Sequence, residues 1–265
     1  MKLSNKVIVV TGGSSGLGEE IAKRFIDDGN VVWILSRTEG ETHFENFIAC
    51  DVTDKEQVFS AFKKVYETSG SIDVMIANAG VGISGALELM DTDAAKKVFD
   101  VNFWGVLNCY QAVVPYMKKG SKIINISSAC ALFALPYRAM YCASKSAVNV
   151  LTFGERMELS ESGIQCCAVC PGDIKTPFTK NRIKLFETNE RYGDRIKKSA
   201  EFIDQRQDKR MPAQFVAQRI VNLASKKHLK PMVIISGLYK FLFFMQRIAP
   251  VRLFIYLTNK LFNKK

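Results

Sequence analysis

Histidine is almost missing from this chain: among 265 residues there are two, His43 and His228. A Ser/His/Asp hydrolase or a histidine-based metal centre therefore lacks its parts, and no metal site is expected. Long hydrophobic runs are missing too. In the apolar C-terminal stretch the longest uninterrupted run is Phe241 to Met245, and Gln246, Arg247, Pro250 and Arg252 break up the residues beyond it, which argues against a membrane-spanning helix. No Pro/Gly/Ser-rich linker and no repeat divides the chain, so one domain with a tail is expected. Hydrophobic residues make up 48% of it, enough for a large core.

Acidic residues are absent beyond Asp208. The net charge of +11 belongs to that end: residues 209–265 carry twelve Lys/Arg, leaving 25 basic against 26 acidic groups in residues 1–208. The body is neutral, so the basic balance is not a nucleic-acid signal spread over a fold. The cysteines number seven, an odd count without framework spacing, and the N-terminal apolar run is too short for a secretory segment. Free thiols in a reducing, cytoplasmic compartment are expected. "CCAVC" (Cys166 to Cys170) contains a C-x-x-C, but residues three apart in a strand point to opposite faces and no histidine is near. These cysteines read as small buried hydrophobes.

Short apolar strands alternate with amphipathic helices. A strand at Val7–Val10 leads through a glycine-rich turn to a helix with Ile21, Ala22, Phe25 and Ile26 on one face. Strands follow at "NVVWILSR", "FIAC", "DVMIAN", "KIINISS", "IQCCAVCP" and "PMVIIS". Between them come helices at 54–67, about 93–117 and about 141–160, a polar helical excursion at 178–208, and a helix at "PAQFVAQRIVNLA". This pattern predicts an α/β fold: a doubly wound parallel sheet of Rossmann type. Residues 1–237 would form the dinucleotide-binding domain and 238–265 a basic, apolar helical extension.

"TGGSSGLG" (Thr11 to Gly18) stands where such a fold holds a pyrophosphate. Gly12 lets the chain leave the strand, and Ser14, Ser15, Gly16, Leu17 and Gly18 bring backbone N–H groups of a helix start toward an anion. Glycine-rich turns also occur merely to close a corner. About twenty residues on, where a carboxylate would bind a ribose 2′-hydroxyl, the chain reads Ser36-Arg37-Thr38. Arg37 can grip a 2′-phosphate, which favours NADP(H) over NAD(H); Glu39 and Glu41 pull the other way.

In "YRAMYCASK" (Tyr137 to Lys145), two tyrosines compete for a proton-transfer role. Residues four apart share a helix face, so Tyr141 pairs with Lys145, whereas Tyr137 precedes the helix. Bringing a phenol from about 10 to about 7 requires about 4 kcal/mol. A lysine at about 4–5 Å supplies that much at an effective dielectric near 20. The expectation is a tyrosine acidified by its lysine.

These segments, with "DV" at Asp51-Val52, "ANAG" at Ala77 to Gly80, "VN" at Val101-Asn102, "ISS" at Ile126 to Ser128 and "PGDIKT" at Pro171 to Thr176, resemble the short-chain dehydrogenase/reductase family over about residues 4–236. The family's usual "NNAG" is "ANAG" here, which keeps Asn78. The resemblance implies that Asp51 and Val52 contact the adenine and that Asn78, Ala79 and Gly80 support the cofactor-facing edge. It implies that Pro171, Gly172, Ile174 and Thr176 line the nicotinamide side and that Lys145 holds the nicotinamide ribose. It makes Ser128, thirteen residues before Tyr141, the donor to the substrate oxygen, and Asn102 a relay through water to Lys145. It also implies a homo-oligomer packed through helices around 94–117 and 141–160.

The expected activity is hydride transfer between NADP(H) and a carbonyl or secondary alcohol of a hydrophobic, lipid-like molecule. The alternative is a protein of the same scaffold without turnover, a redox-sensing or membrane-attached interaction module. Residues 178–208 would cover the substrate. The tail reads as two short helices broken at Pro250, the second with Arg252, Tyr256, Asn259 and Asn263 on one face and Phe254, Leu257 and Leu261 on the other. Apolar faces rimmed by Lys and Arg suit the cytoplasmic face of a membrane, and nucleic acid has no use for so much Phe, Leu and Ile. The competing expectation is an arm packed on its own or a partner subunit, over the substrate cleft.

Overall fold

The computed structural model describes residues 2–205 and 210–262. Seven parallel strands form one sheet: β1 (Val7–Thr11), β2 (Val31–Ser36), β3 (Asn46–Ala49), β4 (Val74–Ala77), β5 (Lys122–Ile126), β6 (Gln165–Pro171) and β7 (Met232–Ile235). Their spatial order is 7-6-5-4-1-2-3. The order reverses beside β1, where Val10 pairs with Ile34 on one side and Ile76 on the other. That reversal opens a crevice at the carboxyl ends of β1 and β4, the place where doubly wound sheets bind ligands.

Alternation along each strand feeds two cores. Ile8 and Val10 pack with Ile21, Phe25 and Ile220, contributed by α1 (Gly16–Asp27) and α7 (Ala213–Ala224). Val7 and Val9 face Phe62, Val106 and Val113 of α2 (Lys55–Ser69) and α4 (Gly105–Val113). Phe25 and Phe62 are fully buried, each worth about 1.5–3 kcal/mol. Ile26, expected on the buried face of α1, is 45% exposed. It lies beyond the stripe that Ile21, Ala22 and Phe25 complete. The cysteines of the C-x-x-C, Cys167 and Cys170, are buried and belong to different clusters.

The helix expected at 93–117 is interrupted. α3 (Thr92–Phe99), capped by the Asp91 carboxylate, runs into a π turn (Asp100–Trp104) before α4 begins. Gly105 lies so close to the sheet side that a Cβ there would sit 2.7 Å from Val52 Cγ2. The extra residue of the π turn accommodates this approach while leaving Asn102 fully buried. α5 (Ala139–Glu158) follows a 3₁₀ turn at Ala129–Ala131.

Among its described residues, after a 3₁₀ turn at Pro177–Thr179, the segment expected as a helical excursion is α-helical only at α6 (Arg195–Gln205). Before it, Ile183–Lys184 pairs with Ile83–Ser84, and residues 206–209 lie outside the described residues. The tail forms α8 (Gly237–Ile248) and α9 (Val251–Phe262), broken at Pro250 as its sequence predicts. The buried residues of α9 are Phe254 and Thr258, whereas Leu257 and Leu261 remain exposed. The expected apolar face is therefore rotated. Asn263 lies outside the described residues. Among the described residues no helix is long and apolar enough to cross a membrane.

Candidate active site

A cavity of about 530 Å³ occupies the crevice. Its floor is the turn after β1, with Gly12, Ser14, Ser15, Gly16 and Leu17 on its wall. Gly12 has a φ of +62°, and a Cβ on Gly18 would lie 2.3 Å from the Gly12 carbonyl oxygen. Side chains at either position would break this cradle. Gly18 packs beneath it and does not face the cavity. Ser15 caps α1 without a side-chain hydrogen bond, so the first N–H groups of the helix point toward the cavity unclaimed by it. Asn78 ties the turn to β4, its Nδ2 donating to the carbonyls of Thr11 (3.1 Å) and Gly12 (3.0 Å). These features fit a dinucleotide pyrophosphate.

Ser36, Arg37, Asp51 and Val52, at and beyond the ends of β2 and β3, line the cavity, as do Ala79 and Gly80 after β4. Arg37 and Thr38 reach the cavity; Glu39 and Glu41 are not on its wall. Glu39 instead pairs with His43. Ser36 is buried, and its hydroxyl accepts from Ser14 N at 3.3 Å. Asp51 is fixed by Thr53, whose N–H and hydroxyl both donate to Oδ1 at 2.9 Å.

At the other end stand Ser128, Tyr141 and Lys145, with Pro171, Gly172, Ile174 and Thr176 beside them. Ser128 and Tyr141 share this part of the wall, and Ser128 draws the Tyr141 phenol down. Ser127 is committed elsewhere, donating to the Lys145 carbonyl at 3.0 Å. Tyr137 is not part of this group: its ring meets Tyr192, with centroids 6.3 Å apart, and its φ is +58°.

The electrostatics differ from the sequence expectation. Burial, followed by the neighbouring Cys130, pushes the Tyr141 phenol above its ordinary value, outweighing the opposite influence of Ser128. The residue is half-buried on the cavity wall. Lys145 is not what sets the phenol. Its ammonium is buried and donates to the Ile126 carbonyl at 2.9 Å, and burial lowers it to about 8. Tyr141 is thus a protonated phenol near neutrality, with Lys145 still largely charged.

Asn102 does not line the cavity. Its Oδ1 accepts from Val81 N (2.8 Å), while Nδ2 donates to Val81 O (2.9 Å) and Ser144 Oγ (3.0 Å). Its side chain is fully engaged, so a water relay to Lys145 would have to use the backbone carbonyl of the π turn.

Sequence reasoning missed several cavity residues. Cys130, Arg138, Phe178, Arg182 and Tyr239 are on the wall, as is the Asp173 side of the "PGD" turn. Tyr239 comes from α8. Its hydroxyl donates to Asp173 Oδ2 at 3.0 Å and its ring stacks on Phe133 at 6.0 Å. A Cβ on Gly172 would meet that ring at 2.8 Å. The inner face of the tail is therefore a wall of the site, and only the glycine of "PGD" hints at something large packing there.

A family profile described as short chain dehydrogenase matches residues 6–185. The chain is 38% identical over 204 residues to a 3-ketodihydrosphingosine reductase of Bacteroides thetaiotaomicron, covering 75% of this chain and 76% of the relative. A short-chain dehydrogenase/reductase of Burkholderia phymatum in complex with NAD superposes with a TM-score of 0.81 at 20% identity, covering 93% of this chain and 94% of that one. A short-chain dehydrogenase of Burkholderia cenocepacia in complex with NADP gives 0.78 at 24% identity, with 97% and 99% covered. At those identities the two structures speak for the fold.

Proposed function

The chain belongs to the short-chain dehydrogenase/reductase family and is an oxidoreductase of CH–OH and C=O groups; from this we propose that it reduces the carbonyl of a hydrophobic, lipid-like molecule with NADPH. The observation that carries the reading is that Ser128, Tyr141 and Lys145 line the same cavity as the glycine cradle. The nicotinamide cofactor, when bound, supplies hydride to the substrate carbon.

The chain's residues do the rest. Ser128 donates a hydrogen bond to the carbonyl oxygen and stabilises the charge that develops there. Tyr141, protonated because it is buried, hands its proton to that oxygen. Lys145 stands at the carboxyl end of β5 as the local positive charge, and Asn102 holds the π turn against Val81 and Ser144. Arg37 grips the 2′-phosphate, which supports NADP(H), with NAD(H) the weaker alternative. Residues 1–237 act as the catalytic domain, with 178–208 over the substrate and 238–265 as the extension.

The tail supports a lipid-like substrate in two ways. Tyr239, its ring stacked on Phe133, gives the cavity an aromatic wall. Outward, Leu238, Phe241, Phe244 and Ile248 of α8 and Val251 and Ile255 of α9 are exposed beside Lys240, Arg247 and Arg252. That surface suits peripheral binding at the cytoplasmic face of a membrane with anionic headgroups. Trp104, Val150 and Met157, exposed on the π turn and α5, suit contact with a second copy of the chain.

The test is Tyr141→Phe, assayed by NADPH oxidation over a panel of long-chain ketones. Loss of turnover by at least about 10²-fold with NADPH binding kept supports the reading; equal turnover removes Tyr141 from the mechanism.

A further inference from the structure

The loop that carries Arg37 is tied down from outside the cavity. Residues 37–43 form no regular secondary structure between β2 and β3, yet three contacts hold them. Gly40 lies against the phosphate turn: its φ is +85°, and a Cβ there would sit 2.3 Å from the Ser14 carbonyl oxygen. The Thr42 hydroxyl donates to Oε1 of Glu19, in the first turn of α1, and Lys23 donates to the same oxygen at 2.6 Å. Phe44, where the loop ends, is buried in the same core cluster as Ile21 and Phe25. Arg37 and Thr38 are on the cavity wall, whereas Gly40, Thr42 and Glu19 are not.

A fixed loop matters because of what Arg37 has to do. The residue is exposed and its side chain is long, so the position of its backbone decides how often the guanidinium meets a phosphate. A group presented correctly for only a fraction of the time weakens affinity in proportion to that fraction. Tethers already made in the free protein meet this ordering cost before any nucleotide arrives. The phosphate turn is the firmer of the two partners, because Ser14 N donates to Ser36 Oγ at 3.3 Å and Asn78 holds the Thr11 and Gly12 carbonyls. A side chain at residue 40 would therefore move the loop and leave the turn in place.

We propose that Gly40 and the Thr42–Glu19 hydrogen bond are positioning elements for cofactor choice: they clasp residues 37–43 to the phosphate turn and to α1, and so present Arg37 to the 2′-phosphate of NADP(H). This clasp rests on the NADP(H) reading and extends it to residues that touch no part of the cavity. Glycine serves at 40 because the positive φ and the nearness of Ser14 both exclude a side chain. Threonine serves at 42 through its hydroxyl, since valine has the same shape and donates nothing.

The test uses the full chain and its Gly40→Ala, Thr42→Val, Thr42→Ser and Arg37→Ala forms, with two readouts that need no turnover. Fluorescence titration gives the Kd for NADPH and for NADH. Brief trypsin treatment without nucleotide, read by mass spectrometry, gives the rate of cleavage after Arg37 within the clasped loop. In Gly40→Ala and Thr42→Val the preference for NADPH over NADH should fall by most of the about tenfold that the Arg37 pair contributes, with NADH binding kept, and cleavage after Arg37 should accelerate several-fold as the loop opens. Thr42→Ser, which keeps the hydroxyl, should match the native chain. Equal losses of both nucleotides, an unchanged preference, unchanged cleavage, or a Thr42→Ser chain that matches Thr42→Val would overturn the proposal. Arg37→Ala separates the two layers: if it leaves the preference untouched, the NADP(H) reading itself fails, and if it removes the preference while Gly40→Ala does not, the clasp alone fails.

Discussion

Glu155 offers a quantitative check on the packing between α5 and the sheet. Its side chain is 2% exposed, with one oxygen accepting from Asn125 Nδ2 at 2.8 Å while Oε1 and the Asn125 Oδ1 have no partner among the described residues. Burial, against the Asn125 hydrogen bond, raises its carboxyl from 4.5 to about 7. Below pH 4.5 both folded and unfolded chains hold the proton. Between 4.5 and about 7 the unfolded chain releases it and the folded chain keeps it, so stability falls as pH rises; above about 7 the loss is complete. A displacement of that size corresponds to roughly 3 kcal/mol, an upper figure because local relaxation reduces it. In Glu155→Gln a neutral amide replaces the acid, keeping an acceptor for Asn125 and placing N–H donors where Oε1 has no partner. Urea denaturation of both chains at pH 5, 6, 7 and 8 should show the variant gaining on the native protein by about 2–3 kcal/mol from the lowest to the highest pH. A stability difference that stays constant across the series would refute the reasoning.

Other outcomes rest on the same geometry. Arg37→Ala should weaken NADPH binding by about tenfold or more, the loss of a charge-assisted pair, and leave NADH nearly untouched; equal losses in fluorescence titrations would place the 2′-phosphate elsewhere. Gly18→Ala should abolish binding of either nucleotide in the same titration, because its methyl would collide with the Gly12 carbonyl. Phe241→Ser/Phe244→Ser/Ile248→Ser should release the chain from vesicles containing phosphatidylglycerol in a flotation assay while turnover of a soluble ketone is kept. Phe62→Ala should cost about 3–5 kcal/mol in denaturant unfolding, since its ring is fully buried.

The alternation of short strands and amphipathic helices was enough to predict the doubly wound sheet, because burial on both faces writes itself into apolar runs such as "VIVV". The tail's break was readable for the same kind of reason, since Pro250 cannot continue a helix. The π turn was not legible: its cause is the approach of Gly105 to Val52, a contact between residues 53 positions apart in the chain. Tyr141 and Lys145 could be nominated from helix spacing and Ser128 from the family resemblance, but their balance could not. The Lys145 ammonium bonds to Ile126, and burial governs the phenol; both are facts of three-dimensional neighbourhood.

Tyr239 gives the tail two allegiances. A helix whose outer surface suits lipid also supplies, through one phenol braced on Asp173, part of the shape against which a substrate must fit. Trimming the extension to make the enzyme easier to handle would therefore redraw its selectivity. Grafting a foreign tail would change where the protein resides and what it accepts in a single step.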